Sequence, residues 1–453
     1  MDRYVVAGAL VVSGQGRERA NLVIENGKIT EWISDLGASE LPVFDAQGKL
    51  ILPGLIDAHT HFHMASGELF TLDDFVYGGK LAAAAGVTSI VDFVEPSLSQ
   101  DLPEAVTARF QEVRGCPVDY QFHLVIPHRF AMDTNWHELM ERYQLAAVKG
   151  FTTYQEDGLS LDSADLAVLL TWSRENSGLL TLHAEDEQTL RTVGQNLLAE
   201  GKTDIRLFPQ SRPFAAEQKA VENVLINAVP ALASLYFVHI SSKAALETIV
   251  RARQEAYNPT IWIETCPQYL VLDESLYQEQ AELYTVCPPL RTRADRESLW
   301  HGIRDGTVDV VASDHCAYSP SMKKGDSWNS TRAGLPAVDA ILPVLVNAGI
   351  KEKWIEWEDI VRVTAENPAR LFRLKDKGSL TPGSDADFVV IDEARLDGFV
   401  EPPLVSRAGY SPFPHVYQNR SWLRDVARGG EFLLLNGKPA ASRKEGKLIP
   451  LCN

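Results

Sequence analysis

The sequence is poor in the residues that staple or anchor a chain. Its 453 residues include only five cysteines: Cys116, Cys266, Cys287, Cys316 and Cys452. They are odd in number, widely spaced and form no CxxC pair. A disulfide framework is excluded, and free thiols in a reducing cytoplasm are expected. No apolar run reaches the roughly 18 residues that span a bilayer, so no membrane partner is expected. The opening MDRYVVAGALVVSG carries charges of both signs and a turn, unlike a signal peptide. Basic residues are in deficit: 43 Lys and Arg against 61 Asp and Glu, a net charge of −18. That balance speaks against nucleic acid, which needs a clustered basic face. What remains is ordinary globular composition, 45% hydrophobic and 23% charged. A chain this long buries a large core unaided, so a metal here would serve chemistry rather than stability.

Residues 1–52 read as short Val- and Ile-rich strands with turns, including an Asn-Gly hairpin signal at 26–27. A similar patch follows late, in GSLTPGSDADFVVID (378–392) and EFLLLNGKPA (431–440). Between them, apolar strand-like runs alternate with helix-like segments such as LPEAVTARFQEVR and SADLAVLLTWSRENSG. The runs are TSIVDFV, YQFHLVI, LAAVKGF, LLTLHAE, LYFVHIS, TIWIETC and VDVVASD. With the strand carrying HTH they number eight, which predicts a parallel (β/α)₈ barrel, an α/β fold. The expected organisation is a barrel over 53–372 and a small β-sandwich assembled from 1–52 and 373–453.

Polar residues able to bind metal end these strands one after another. LPGLIDAHTHFH places His59 and His61 two apart, on one strand face. LAAVKGF carries Lys149, LLTLHAE His183, LYFVHISS His239 and VDVVASDH Asp314. A lone histidine is an ordinary core or surface residue, and His128, His137, His301 and His415 are read that way. His123, inside YQFHLVI, is read as structural, near the barrel interior. Two more histidines and a carboxylate at the ends of separate strands are harder to dismiss, because unpaired buried polar groups cost roughly 1–3 kcal/mol each. Lys149 is the odd member. An ammonium beside cations is disfavoured, leaving a salt bridge, for example to Asp314, or loss of the proton and reaction with CO₂. A carbamate, four imidazoles and a carboxylate would suit two Zn²⁺ ions. Two ions about 3.5–4 Å apart share a hydroxide. Asp314 would take its proton and pass it to a leaving nitrogen, which points to hydrolysis of an amide-like bond.

These stretches resemble the cyclic amidohydrolases, most closely the dihydropyrimidinase/hydantoinase group, nearly end to end. The carrying motifs are PGLIDAHTH (53–61), DDFVYGGKLAAAAGVTSIVDF (73–93), VKGFTTY (148–154), QSRPFAAE (210–217) and VHISS (238–242). ETCPQYL (264–270), CPPLR (287–291), SDHC (313–316), ENPARLF (366–372) and GSDADFVVID (383–392) complete them. The resemblance implies His59, His61 and Asp314 on one zinc, His183 and His239 on the other, and Lys149 as the N6-carboxylated bridge. It implies that Tyr154 donates to the carbonyl oxygen under attack, and that a cyclic amide is the small-molecule substrate. It also implies a homo-oligomer, a tetramer or dimer.

Several positions depart from the group's pattern. His63 stands where hydantoinases carry an acid and dihydroorotases an arginine; alternation with 59 and 61 predicts that it faces the site and contacts substrate or supports a ligand. Cys287 replaces a serine that contacts substrate through its backbone. As a nucleophile it lacks an activating base. Ala333 replaces an asparagine that also uses main-chain groups, and Ala65 and Ser66 replace bulkier residues, which predicts a wider or differently shaped pocket. Allantoinase and dihydroorotase chemistry are the neighbouring readings. A non-catalytic scaffold relative is the reading from another class, opposed by the full set of ligand types.

Overall fold

The computed structural model describes residues 3–36, 41–97, 99–133, 135–255, 260–440 and 444–452. Eight Val-, Ile- and Leu-rich stretches form one parallel sheet: β1 (Leu55–Thr60), β2 (Val87–Val94), β3 (Asp119–Val125), β4 (Ala147–Phe151), β5 (Leu179–His183), β6 (Ser234–Phe237), β7 (Ile261–Thr265) and β8 (Val310–Val311). Each pairs with the next in chain order. Every residue of β1, β2, β4 and β5 is buried. Burial on both faces is why these strands read as unbroken apolar runs rather than alternating ones. Past β8 the chain returns to β1: His315 pairs with Thr60, and the Ser313 N–H donates to Asp57 at 2.9 Å. The eight-stranded α/β barrel is therefore the one the sequence pattern predicts.

Helices fill the connections, as parallel pairing requires. Helix Leu102–Glu112 links β2 to β3, and Ser163–Glu175 links β4 to β5. The second begins with a reciprocal cap, in which Asp162 accepts from the Asp165 N–H and Asp165 accepts from the Asp162 N–H. Among the described residues no helix is long and apolar enough to cross a membrane.

The second sheet draws on both chain ends. Strands Arg3–Ser13, Gly16–Glu25, Lys28–Ile33, Val43–Asp45 and Leu50–Pro53 join Phe388–Ile391, Leu423–Arg428, Glu431–Leu435 and Lys438–Pro439 in nine strands. The seam is the antiparallel pair of Leu50–Pro53 with Phe388–Ile391. Asn26 and Gly27 have φ of 51° and 81°, both left-handed as a two-residue hairpin needs. Strand alternation divides the sheet's contacts. Val6, Leu22, Ile24, Phe388 and Val390 enclose a separate core, whereas Val389 and Ile391 join the main one. Strand Leu423–Arg428 was not apparent in the sequence, because LRDVAR carries three charges. Two of them are satisfied internally: Arg428 donates to the Pro117 carbonyl, and Asp425 accepts from the Asn436 N–H.

The last described stretch leaves the sandwich and runs under the barrel. Leu448 bridges to Tyr120, and Gln121 donates to the Ile449 carbonyl at 2.7 Å. Ile449 packs with Val91, Ala147, Leu179 and Tyr236. Ala147 and Leu179 share the inward strand face with Lys149 and His183. This stretch thus plugs the barrel opposite the C-terminal ends of its strands. A Cβ at Gly446 would lie 1.8 Å from the Val118 carbonyl oxygen, so only glycine passes there.

Candidate active site

Barrel strands deliver chemistry at their C-terminal ends. His59 and Lys149 lie within β1 and β4, and His183 ends β5. His61, Tyr154, His239 and Asp314 follow β1, β4, β6 and β8 within three residues. All seven line one cavity of about 900 Å³, together with Cys287, Ala333, Ala65 and Ser66.

Three of the predicted ligands converge on a point. His59 Nε2 and His61 Nε2 are 3.2 Å apart, and each is 3.3 Å from Asp314 Oδ1. Ligands at the corners of a tetrahedron with arms of about 2.0–2.1 Å stand about 3.3 Å apart, so the group fits a zinc-sized ion. His183 Nδ1 and His239 Nε2 form a second pair at 3.0 Å. Lys149 is 1% exposed, its Nζ 5.4 Å from the Phe93 ring centre and 5.1 Å from that of Phe151. Among the described residues it makes no ion pair with Asp314.

Carboxylates behind the histidines set which nitrogen faces the cavity. His59 Nδ1 donates to Glu264 at 2.7 Å, turning the Nε2 lone pair inward. Glu264 also accepts from the Tyr236 hydroxyl at 2.8 Å and the His239 N–H at 3.0 Å. His183 Nε2 donates to Glu185 at 2.8 Å, leaving Nδ1 for the cavity. Although burial alone would raise it, the Arg212 guanidinium and the His183 ring hold Glu185 down at about 2. Burial keeps His59, His183 and His239 below the usual histidine range, hence neutral as metal ligation demands. It pushes Lys149 down to about 8 against the pull of Glu264 and Asp314. Glu264 and Glu185 were not among the predicted site residues. Their signal was an acid inside an otherwise largely apolar strand run and an acid two residues past a strand-end histidine. A Glu264→Gln protein is expected to bind zinc roughly 10–100-fold more weakly in chelator competition, because Gln cannot hold the His59 N–H as an anion does. Unchanged affinity would leave Glu264 a packing role alone.

The backbone is unusual at four of these positions. Tyr154, His239, Asp314 and His63 have φ of 68°, 40°, 51° and 48°. Left-handed non-glycine residues cost on the order of 1–3 kcal/mol and gather where surrounding structure forces them. At Asp314 the forcing comes from His315. Its Nδ1 accepts the Ala337 and Val338 N–H groups at 3.1 Å each, and its Nε2 lies 3.2 Å from Asp73.

Tyr154 packs its ring 5.1 Å from His183 and 5.4 Å from the Arg212 guanidinium. Burial holds its phenol far above neutrality, so it is a proton donor. Burial also pushes Cys287 up to about 11, a thiol rather than a thiolate. Lys323, fully buried, donates to the Thr285 and Gly334 carbonyls at 2.9 and 2.7 Å, tying the Cys287 segment to that of Ala333. His63 does not follow the 59/61 alternation. The strand ends at Thr60, the left-handed turn at His63 redirects the chain, and the imidazole stacks on Phe70 with ring centres 4.5 Å apart. It lines a smaller neighbouring cavity of about 390 Å³ instead. His123 is buried and donates from Nε2 to the Ala58 carbonyl at 3.1 Å. His128 bonds Asp165, and His301 bonds Arg304, both away from the site.

Comparison with known proteins places this geometry among relatives. The amidohydrolase family pattern matches residues 237–420. The chain is 32% identical to D-phenylhydantoinase of Escherichia coli O1:K1 over 458 residues, spanning 99% of this chain and 98% of that protein. Its fold is similar to that of dihydropyrimidinase from Brevibacillus agri, with a TM-score of 0.88 and 30% identity over 99% of this chain and 98% of that one. D-hydantoinase from a Bacillus species, AR9, superposes with a TM-score of 0.90 and 29% identity over 99% of each chain.

Proposed function

The chain belongs to the amidohydrolase family, beside its hydantoinases and dihydropyrimidinases, and is a cyclic amidohydrolase; on that premise we propose that it opens a hydantoin, dihydropyrimidine or related ureide or imide ring using two zinc ions. The observation that carries the reading is the convergence of His59, His61 and Asp314 at 3.2–3.3 Å. Those three would hold one ion, His183 and His239 the other, and N6-carboxylated Lys149 would bridge them. The carbamate forms when the neutral amine attacks CO₂: an N–C bond is made and one amine proton leaves to solvent. The descent of Lys149 to about 8 supports this, because more of the reactive free base is present near neutral pH than for an ordinary lysine.

When bound, such ions supply a water made acidic enough to ionise near neutral pH and draw charge from the ring carbonyl. Asp314 accepts the proton of the attacking water and passes it to the ring nitrogen as the C–N bond breaks. The Tyr154 phenol donates to the carbonyl oxygen, where negative charge develops. Backbone groups around Cys287 and Ala333, braced by Lys323, hold the ring.

A panel of hydantoins, dihydrouracil, allantoin and dihydroorotate tests this, followed by loss of ring absorbance with zinc and bicarbonate supplied. Opening of a hydantoin or dihydrouracil is expected. A zinc-loaded protein that opens none of the panel would sink the reading.

A further inference from the structure

The stretch QSRPFAAE (210–217) supplies no metal ligand and no proton donor, yet its arginine lines the 900 Å³ cavity. Arg212 Nε donates to Glu185 Oε1 at 3.1 Å, and Nη2 donates to Oε2. That second oxygen is the one that accepts from His183 Nε2 at 2.8 Å. The same guanidinium carbon lies over the Tyr154 ring, 5.4 Å from its centre, and that ring lies 5.1 Å from the His183 imidazole. His183, Glu185, Arg212 and Tyr154 therefore close a circuit, with Arg212 touching both of its functional arms.

The backbone beneath the circuit is fixed from three directions. The Glu185 N–H donates to Thr152 Oγ1 at 3.0 Å, and that hydroxyl donates to the Glu185 carbonyl at 2.9 Å, two residues before Tyr154. Arg291 Nη1 donates to the Arg212 carbonyl at 2.7 Å, and its Nε donates to Ser241 Oγ at 3.0 Å. Glu217 accepts from the Ser241 and Ser242 N–H groups at 2.9 and 3.1 Å, just past His239. The motifs QSRPFAAE, VHISS and CPPLR thus meet in one buried network behind the His183/His239 pair. Glu185 is fully buried, and a buried carboxylate is costly unless a cation is paired with it. Among the described residues Arg212 is the one arginine or lysine paired with it. Without that cation the His183 N–H would lose the anion that fixes its ring, and Tyr154 would lose the group packed on its face. We propose that Arg212 is a positioning residue shared by two parts of the site: through Glu185 it turns His183 toward its metal, and by packing on the ring it aims Tyr154 at the carbonyl oxygen. The proposal rests on the zinc-dependent ring-opening reading, which it deepens by naming the residue that couples metal binding to the phenol.

The test compares full-length wild type, Arg212→Ala, Tyr154→Phe and the double variant. In chelator competition Arg212→Ala should release one of its two zinc equivalents roughly 10–100-fold more readily than wild type, with the other far less affected. With zinc saturating, its kcat should fall about tenfold or more while KM moves by less than about threefold, because the phenol is misplaced rather than the ring unbound. In the Tyr154→Phe background the same substitution should cost less than about threefold in kcat, since the group it positions is already gone. Guanidinium ion at millimolar concentration should restore part of the zinc affinity and part of kcat in Arg212→Ala. Methylammonium should restore less, because only the planar fork meets both Glu185 oxygens. Unchanged zinc release overturns the proposal, and so do losses that multiply in full in the double variant. Equal weakening of both zinc equivalents that guanidinium does not mend also overturns it, leaving Arg212 a packing role. A wild type that binds no zinc or opens no ring overturns the ring-opening reading and this coupling with it; an active wild type beside an indifferent Arg212→Ala overturns the coupling alone.

Discussion

A Lys149→Ala protein is expected to purify with little or no metal and to lose ring-opening activity by about 10⁴-fold or more, the scale set by losing an acidified water. Small carboxylic acids such as acetate or propionate should restore part of the metal and part of the rate. The Lys149 side chain is buried on the inward barrel face and lines the same cavity as the His59/His61/Asp314 group and the His183/His239 pair. An ammonium there would repel both cations. The same stem ending in a carbamate would present two oxygens and a negative charge, a donor set that would suit bound zinc. Truncation to alanine leaves a space sized for a short acid, which is why an added carboxylate can substitute and an added amine cannot. Metal content by elemental analysis and rate are read together. Unchanged metal in Lys149→Ala would show that the lysine is not a ligand, whatever happened to the rate.

Much of this arrangement was legible in the sequence, for reasons that differ by element. The barrel strands were readable because parallel strands buried on both faces are mostly apolar, so histidine, lysine and aspartate near their C-terminal ends stood out. His59 and His61 were readable as a pair because a strand repeats every two residues. That same rule misplaced His63: the strand stops at Thr60, and beyond it a left-handed turn, not the pleat, sets direction. Glu264 and Glu185 escaped notice because their roles depend on partners from other strands. His59 and Glu264 are 205 residues apart, a pairing that only barrel closure creates. Arg212 reaches Glu185 from the segment between β5 and β6. The closing plug at Ile449 was illegible because a single extended stretch, KLIPL, has no periodicity to reveal what it covers.

An Asp314→Asn protein is expected to retain metal and lose roughly 10²–10⁴-fold in kcat, the range of general acid–base catalysis. The substitution separates two roles of one side chain. As a ligand, Asp314 offers one oxygen, Oδ1, to the point it shares with His59 and His61. Asn keeps an oxygen there, and both histidines remain. As a proton carrier, Asp314 must gain a proton from water and release it to nitrogen, which a neutral amide cannot do. The fold should tolerate the change, because φ at Asp314 is 51° and Asn adopts left-handed backbone more readily than almost any other residue. The His315 bonds that hold this turn are untouched. Two readouts isolate the proton role. KM should move far less than kcat, since ring binding does not use the proton. The reverse reaction, closure of the ureido acid to the ring, should slow by the same factor, because a catalyst cannot alter the equilibrium and one group serves both directions. Near-normal turnover with metal bound would remove Asp314 from the proton path. Loss of metal would make it a ligand first, and the proton carrier would then have to be sought elsewhere among the residues lining the cavity.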